Sequence, residues 1–190
     1  MKKTVIKFGV ISGLIISVLM LGTLLFVDRI GFEYGMVLGY TTMVLSFLMV
    51  FFGIRSYRET VGGGKISFGR ALSVGILIML ISCAFYVITW EFMYIKLMPD
   101  FMDKYTVYTL EKARASGKKP EEIEALAKQM QEFKVMYDKP LFNAAMTLLE
   151  PLPVGIPITL VSAALLRKKG KEEDETANES QNARPQSVMS

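Results

Sequence analysis

Glu150 is the residue of this chain whose type and position could do chemistry inside a membrane. It lies in an apolar segment, 142–166, where the sequence Glu150-Pro151-Leu152-Pro153 places it beside two helix-breaking prolines. Ionisable side chains within membrane spans are rare, usually face a protein interior or a cavity, and often carry protons or bind ions. Glu150 is therefore the leading candidate for a proton-carrying or cation-binding group.

A second carboxylate is predicted to lie at a similar depth. Counting about 1.5 Å per helical residue from Arg167 places Glu150 roughly 25 Å from the inner boundary of a hydrocarbon layer about 30 Å thick, and the same count from Arg70 places Glu91 at a similar outer level. Both carboxylates would then lie near the outer edge of that layer. The two carboxylates would form an acidic rim there, with Thr147, Thr89 and Tyr94 as its expected polar companions.

Two interpretations of this acidic rim remain open. In the first, Glu150, Glu91 and Thr147 line a vestibule for an ion or a substrate. In the second, the carboxylates lie at the membrane interface and pair with Arg29 or Lys96. Whether the Glu150 side chain faces lipid, the bundle interior or water decides between the two.

The chain lacks the residues that most other catalytic and metal-binding sites require. The chain has no histidine, which excludes imidazole metal sites, histidine bases and serine–histidine pairs. The single cysteine, Cys83, lies inside an apolar segment and is predicted to be a small buried residue. The glycine run 62–64 before Lys65 lacks the spacing and the preceding strand of a phosphate loop, so it is predicted to be a flexible turn. We predict no catalytic, cofactor-binding or metal-binding residue, and a protein that is not an enzyme.

Four long apolar segments must position these side chains. They lie at about 5–27, 34–54, 71–95 and 142–166, in a chain that is 52% hydrophobic with a mean hydropathy of +0.37. A helix of about 20 mostly apolar residues is enough to cross a bilayer. The sequence therefore predicts an all-α integral membrane protein with four transmembrane helices in one domain, 1–170.

The fourth apolar segment is predicted to bend. Pro151 and Pro153 lie in its first half, and Pro157 lies just beyond its midpoint. Each proline removes a backbone donor, and a proline inside a helix also clashes with the preceding turn. We expect the helix to kink or open near these prolines.

Glycines at spacing four predict close contacts between helices. Gly9 and Gly13 lie on one face of the first segment, and Gly35 and Gly39 lie on one face of the second. Small residues let membrane helices approach closely where no hydrophobic force brings them together. Contacts within the chain are favoured, and contacts between chains remain open.

Basic residues predict the orientation of the four segments. Lysine and arginine concentrate before the first segment, between the second and third, and after the fourth. Such residues favour the cytoplasmic side of a membrane. Both termini are therefore predicted to be cytoplasmic, although the segment between the third and fourth spans also carries lysines.

This long outer segment is predicted to form a helical hairpin at about 99–139. Pro99 and Asp100 suit a helix start, Ser116 and Gly117 suit its end, and Pro120 begins a second helix. The apolar faces of the two helices pack against each other or the membrane, or they form a groove for a partner.

The chain ends in a charged segment, 171–190, that is predicted to be a disordered cytoplasmic tail because it cannot form a core. The predicted partners of the whole chain are the lipid bilayer and a second copy or another membrane protein. Its formal charge of +4 does not indicate nucleic acid, because the basic residues lie at span ends, where lipid headgroups would meet them.

Two stretches of sequence resemble a known family. These are 66–71 (ISFGRA), at the start of the third span, and 149–155 (LEPLPVG), in the fourth, which is followed by a basic end at 165–169. The pattern resembles the bacterial membrane family catalogued as domain of unknown function 4199, seen mainly in Bacteroidota, from Met1 to about Lys171. The resemblance implies four membrane helices with an extracytoplasmic helical insert between the third and fourth. It implies no activity and no catalytic residue.

The sequence thus leads to two functional hypotheses. The first is a non-enzymatic structural or assembly component of the bacterial inner membrane. The alternative is a small oligomeric transporter or ion conduit that uses Glu150 on a kinked fourth helix.

Overall fold

A computed structural model describes residues 1–168, except for the side chains of residues 24–30. Helices form most of this part of the chain, as the all-α prediction required. In chain order they are α1 (Lys2–Thr60), α2 (Phe68–Phe92) with a π-helical turn (Met93–Leu97), α3 (Phe101–Ala115), α4 (Pro120–Tyr137), α5 (Pro140–Leu149) and α6 (Leu152–Leu166). The predicted tail, 171–190, lies outside the described residues.

Four segments are long and apolar enough to cross a membrane, which confirms the predicted number of spans. Span one is Lys2–Thr23, span two Gly31–Thr60, span three Phe68–Leu97, and span four Pro140–Leu166. Spans two and three extend beyond the predicted apolar stretches because their helices continue into polar flanks.

Gly31 separates the two spans of α1. Its backbone is non-helical, with φ 73° and ψ 170°, in a region that favours glycine because a side chain would be strained there. On either side of this break the two spans run antiparallel. Ser12 Oγ donates to the Ser46 carbonyl oxygen at 2.9 Å, and Ser46 Oγ donates to the Ser12 carbonyl oxygen at 2.6 Å.

Span three lies at the centre of the bundle and contacts all three other spans. The fully buried core beside it is mostly apolar, and it includes Phe47, Val50 and Ile54 from span two and Val74 and Ile78 from span three. A few small polar side chains are buried there as well, among them Ser12, Ser46, Ser82 and Thr159. Side chains on the outside of the bundle are apolar as well. An apolar exterior is what a hydrocarbon surrounding requires, whereas a protein in water would group such residues inside.

Helices α3 and α4 pack against each other beyond the ends of spans three and four. Gly117, with φ 77°, lies in the turn between them. An ion pair joins Lys134 to Asp103, and a buried cluster contains Met102, Met130 and Tyr137. The end of the bundle that carries these helices is called the α3/α4 end below.

The turn between spans two and three lies at the opposite end, called the loop end below. An added Cβ at Gly62 would lie 2.1 Å from the Lys65 carbonyl oxygen, so only glycine fits there. Gly62 N donates to the Tyr57 carbonyl oxygen at 3.1 Å, and Lys65 N donates to the Gly62 carbonyl oxygen at 3.0 Å. The predicted turn is thus present, with a specific hydrogen-bonded geometry.

Candidate functional site

Three aromatic side chains on one face of span three donate hydrogen bonds to the segment 137–150. They are Tyr86, Trp90 and Tyr94, and their spacing of four residues aligns them along the helix. We call these three residues the aromatic ladder. The bonds are Tyr86 Oη to Glu150 Oε2 at 2.6 Å, Trp90 Nε1 to Tyr137 Oη at 3.0 Å, and Tyr94 Oη to Asp138 Oδ1 at 2.5 Å.

Glu150 lies at the junction between α5 and α6, where span four is divided. Pro151 follows it and is buried, Pro153 lies in the first turn of α6, and Pro157 lies inside α6. Proline supplies no backbone donor, so the helical hydrogen-bond pattern is interrupted over this stretch. The interruption places the Glu150 carboxylate next to the Tyr86 hydroxyl of span three.

Neither candidate carboxylate has a basic partner within the part of the chain that the structure describes. None of the described ion pairs includes Glu150 or Glu91. Lys96, a suggested partner, is exposed, and the side chain of Arg29 is outside the described residues. Glu91 Oε1 is buried without a hydrogen-bond partner. Glu91 is therefore placed beside the aromatic ladder, but it is not bonded to Glu150.

Thr147 is buried on α5 and has a polar neighbour that the sequence analysis missed. Its Oγ1 donates to Asn143 Oδ1 at 3.1 Å, and both residues are only 1% exposed. Asn143 Nδ2 is buried and has no partner. Turning the amide over would exchange its two polar atoms, so one of them lacks a partner in either orientation.

The hydroxyl of Tyr137, the last residue of α4, interacts with Trp90, Thr147 and both candidate carboxylates. Burial raises the pKa of its hydroxyl, hydrogen bonding with Thr147 and Trp90 lowers it, and the nearby carboxylates of Glu150 and Glu91 raise it. The net direction is upward from the ordinary tyrosine value. The Tyr137 hydroxyl therefore stays protonated and can both donate and accept a hydrogen bond.

The comparisons with known proteins agree with the resemblance seen in the sequence. The family described as protein of unknown function (DUF4199) matches residues 7–168. The chain belongs to this family. Comparison with the curated proteins and with the solved structures gives no significant match. Membership of the DUF4199 family names no reaction or ligand, so the function must be argued from the geometry.

In this DUF4199 member, the first glycine stripe faces span three. An added Cβ at Gly9 would lie 2.8 Å from Ile81 Cβ, and one at Gly13 would lie 2.4 Å from Phe85 Cγ. One turn further on, Ser17 Oγ and Thr89 Oγ1 are 2.7 Å apart. Spans one and three therefore run parallel in close contact along this stripe.

The expectation of close packing within the chain must be corrected for the second glycine stripe. Among the residues whose side chains the structure describes, no atom lies within 4 Å of an added Cβ at Gly35 or Gly39. The physical reason is that the close contacts of span two lie in its other half, where Ser46 bonds to Ser12 and an added Cβ at Gly53 would lie 2.3 Å from Ile78 Cδ1. Nearby side chains are exposed, with Tyr34 at 70% and Val37 at 63%.

The sequence indicates only part of this site. Trp90 suits a membrane interface and Tyr94 is an expected polar companion, but Tyr86 was missed, although its spacing from both could have indicated one helical face. Tyr137 ends an amphipathic helix and Asp138 follows it, so neither position indicates a contact with span three. No group of three potential metal-ligating side chains occurs among residues 1–168 where side chains are described.

Proposed function

We propose that this protein is a non-enzymatic component of the bacterial inner membrane that holds α3 and α4 as a fixed platform for assembly with another protein. The observation that carries the proposal is the aromatic ladder, which bonds span three to the end of α4, to the residue after it and to the break inside span four. Three successive turns of span three thereby fix where α4 ends against the bundle.

The other helix of the platform has an anchor of its own. The ring of Phe32 on span two contacts the rings of Phe101, Tyr105 and Tyr108 on α3, with centroids 5.8, 5.8 and 5.2 Å apart. Aromatic pairs in this distance range are stabilising beyond the area they bury. Since α3 and α4 are anchored to different spans, the pair has little freedom to swing relative to the bundle.

The surface of the platform supports a role in contact with another protein. A groove of about 470 Å³ lies between its helices and is lined by the apolar residues Leu110, Ile123 and Ala127, together with Arg114 and Glu124. Val107 on α3 is 56% exposed and Val135 on α4 is 55% exposed. Exposed apolar side chains beside charged ones are typical of protein contact surfaces.

The orientation that goes with this role is the predicted one. Basic residues flank the spans at the loop end, and such residues favour the cytoplasmic side. Both termini are then cytoplasmic, and the platform lies on the extracytoplasmic side of the membrane.

Site-specific photo-crosslinking in cells tests this proposal. A photoreactive residue at Val107 or Val135 should give a discrete adduct, either with a second copy or with another membrane protein. The yield of this adduct should fall when Trp90→Phe and Tyr94→Phe are combined, because the platform then loses two of its hydrogen bonds to span three. Leu165, 70% exposed at the loop end, is the matched control position. A purified monomer without any adduct at Val107 or Val135 would remove the support for an assembly role.

The alternative is an ion conduit that uses Glu150, and one observation favours it. The Glu150 carboxylate lies at a broken membrane helix without a basic partner among the described residues. However, Phe47, Val50 and Ile78 fill the described core between the spans. A polar pathway would therefore have to form between chains of an oligomer.

Flux measurements separate the alternative from the main proposal. Proton or cation flux into proteoliposomes would be compared for the native chain, Glu150→Gln and the control Glu33→Gln, whose carboxylate is exposed. Flux that is lost only in Glu150→Gln supports the conduit. Equal flux in all three excludes Glu150 from the pathway, and no flux in any of them excludes the conduit.

A further inference from the structure

The loop end of the bundle is closed by backbone hydrogen bonds between distant parts of the chain. Ile66 N donates to the Lys168 carbonyl oxygen at 3.1 Å, and Lys168 N donates to the Ile66 carbonyl oxygen at 2.9 Å. Arg58 Nη1 donates to the Leu166 carbonyl oxygen at 3.3 Å. The turn between spans two and three is therefore fixed against the end of span four.

This closure brings four exposed basic side chains to one end of the bundle. They are Lys65, Arg70, Arg167 and Lys168, and we call them the basic patch. The only acidic residue in the flanks of these three spans, at 55–70 and 165–168, is Glu59. Its carboxylate is already paired with Arg58 at 2.6 Å. No described ion pair neutralises the basic patch.

The lysines in the first turns of span one lie at the same end. An added Cβ at Gly53, near the end of span two, would lie 3.1 Å from Phe8 Cβ. Lys7 is adjacent to Phe8, and its Nζ lies 5.7 Å from the centroid of that ring. Lys2 and Lys3 precede it by about one turn. All four spans therefore present positive charge at the loop end.

An anionic lipid headgroup suits this surface better than a soluble ligand does. The charges lie directly beside apolar side chains that would contact acyl chains, since Phe68 is 39% exposed and Leu165 is 70% exposed. Basic residues next to a span attract anionic lipid headgroups. The loop backbone is already fixed by hydrogen bonds, so binding orders only the side chains.

We propose that the basic patch is a docking site for the headgroup of an anionic phospholipid, with Lys65 and Lys168 contacting the phosphate. The site is distinct from the platform, which lies at the α3/α4 end. Its occupant would belong to the leaflet that faces the loop end.

Thermal unfolding of the full purified chain in mixed micelles tests this site. Phosphatidylglycerol should raise the unfolding temperature, whereas phosphatidylcholine or inorganic phosphate alone should not. Combining Lys65→Gln with Lys168→Gln should remove at least half of this rise. Neither change disturbs the Ile66–Lys168 bridge, whose bonds involve only backbone atoms. The full chain is used because the acidic residues at 172–175 follow the patch in sequence, so the measurement includes their negative charge.

A matched pair of substitutions at the opposite end serves as control. Lys118→Gln with Lys128→Gln removes the same charge from exposed positions of the platform and should leave the rise unchanged. Lys65→Arg with Lys168→Arg should restore it. An equal rise with both lipids, a rise with phosphate alone, or a full rise in the Lys65→Gln/Lys168→Gln variant would overturn the proposal. None of these results bears on crosslinking at the platform.

Discussion

Trp90 and Tyr137 join span three to α4 through a single hydrogen bond, from the indole Nε1 to the phenol oxygen at 3.0 Å. The two residues are 47 positions apart in the chain. The bond lies midway along the aromatic ladder, between the bonds of Tyr86 and Tyr94. Its loss should therefore loosen the end of α4 without unfolding the spans.

Trp90→Phe is the substitution that tests this relationship. Phenylalanine retains an aromatic ring but has no hydrogen-bond donor. We therefore expect the free energy of local unfolding at the end of α4 to fall by about 1 kcal/mol. Hydrogen exchange of the α4 backbone amides should become faster, while exchange in spans one and two stays unchanged. Tyr34→Phe is the control, because Tyr34 is 70% exposed. Unchanged exchange in α4 after Trp90→Phe would mean that the ladder does not anchor the platform.

Gly13→Ala should destabilise the protein, whereas Gly39→Ala should not. At Gly13 the new Cβ would lie 2.4 Å from Phe85 Cγ, so spans one and three must separate, at a cost of about 1–3 kcal/mol. At Gly39 no described atom lies within 4 Å of an added Cβ, so alanine should be neutral or favourable to the helix. Unfolding by dodecyl sulfate in mixed micelles measures both. A loss at Gly39 as large as that at Gly13 would indicate that Gly39 contacts a second copy.

Tyr86 and Glu150 should be energetically coupled. A double-mutant cycle with Tyr86→Phe and Glu150→Ala should give a coupling of about 0.6 kcal/mol, the mean for side-chain bonds between membrane helices, and at most about 1.7 kcal/mol. Glu150→Gln should reduce stability less than Glu150→Ala does, because its amide oxygen can still accept the hydrogen bond from the Tyr86 hydroxyl. Additive effects of the two substitutions would show that this bond does not stabilise the junction of α5 and α6.

Tyr137 should make stability depend on pH in the alkaline range. Its folded-state pKa is raised, first because it is buried, whereas an unfolded tyrosine ionises at about pH 10. Its contribution is therefore complete below about pH 10 and is lost as the pH rises toward the folded-state pKa. Tyr137→Phe should make the fall in unfolding free energy between about pH 10 and pH 11 shallower. Identical pH profiles for the native chain and Tyr137→Phe would contradict the raised pKa.

The four spans were predictable because length and apolar content alone determine whether a helix can cross a membrane. The contacts of the glycines were not. Gly9 and Gly13 have the same spacing as Gly35 and Gly39, but only the first pair meets another helix. Spacing identifies a face of a helix, and the partner of that face depends on how all four spans pack.

The candidate site was predicted in part for a similar reason. Glu150 and Thr147 stood out as polar residues in an apolar segment, whereas Asn143, one turn before Thr147, was overlooked. The acceptors Tyr137 and Asp138 could not be found, because their role depends on contacts with span three across more than 40 positions of sequence. A local pattern does not contain such a pairing.

The closure at the loop end determines the order in which the fold can be completed. Arg58 and its acceptor, the Leu166 carbonyl oxygen, are 108 positions apart in the chain. Ile66 likewise bonds to Lys168, which is synthesised much later. A growing chain that has inserted three spans still has a donor at Ile66 and a guanidinium at Arg58 without their acceptors. These bonds form only when the last span leaves the ribosome and inserts. An unfinished or truncated chain therefore keeps the hydrogen bonds within the turn but lacks those that join it to the end of span four.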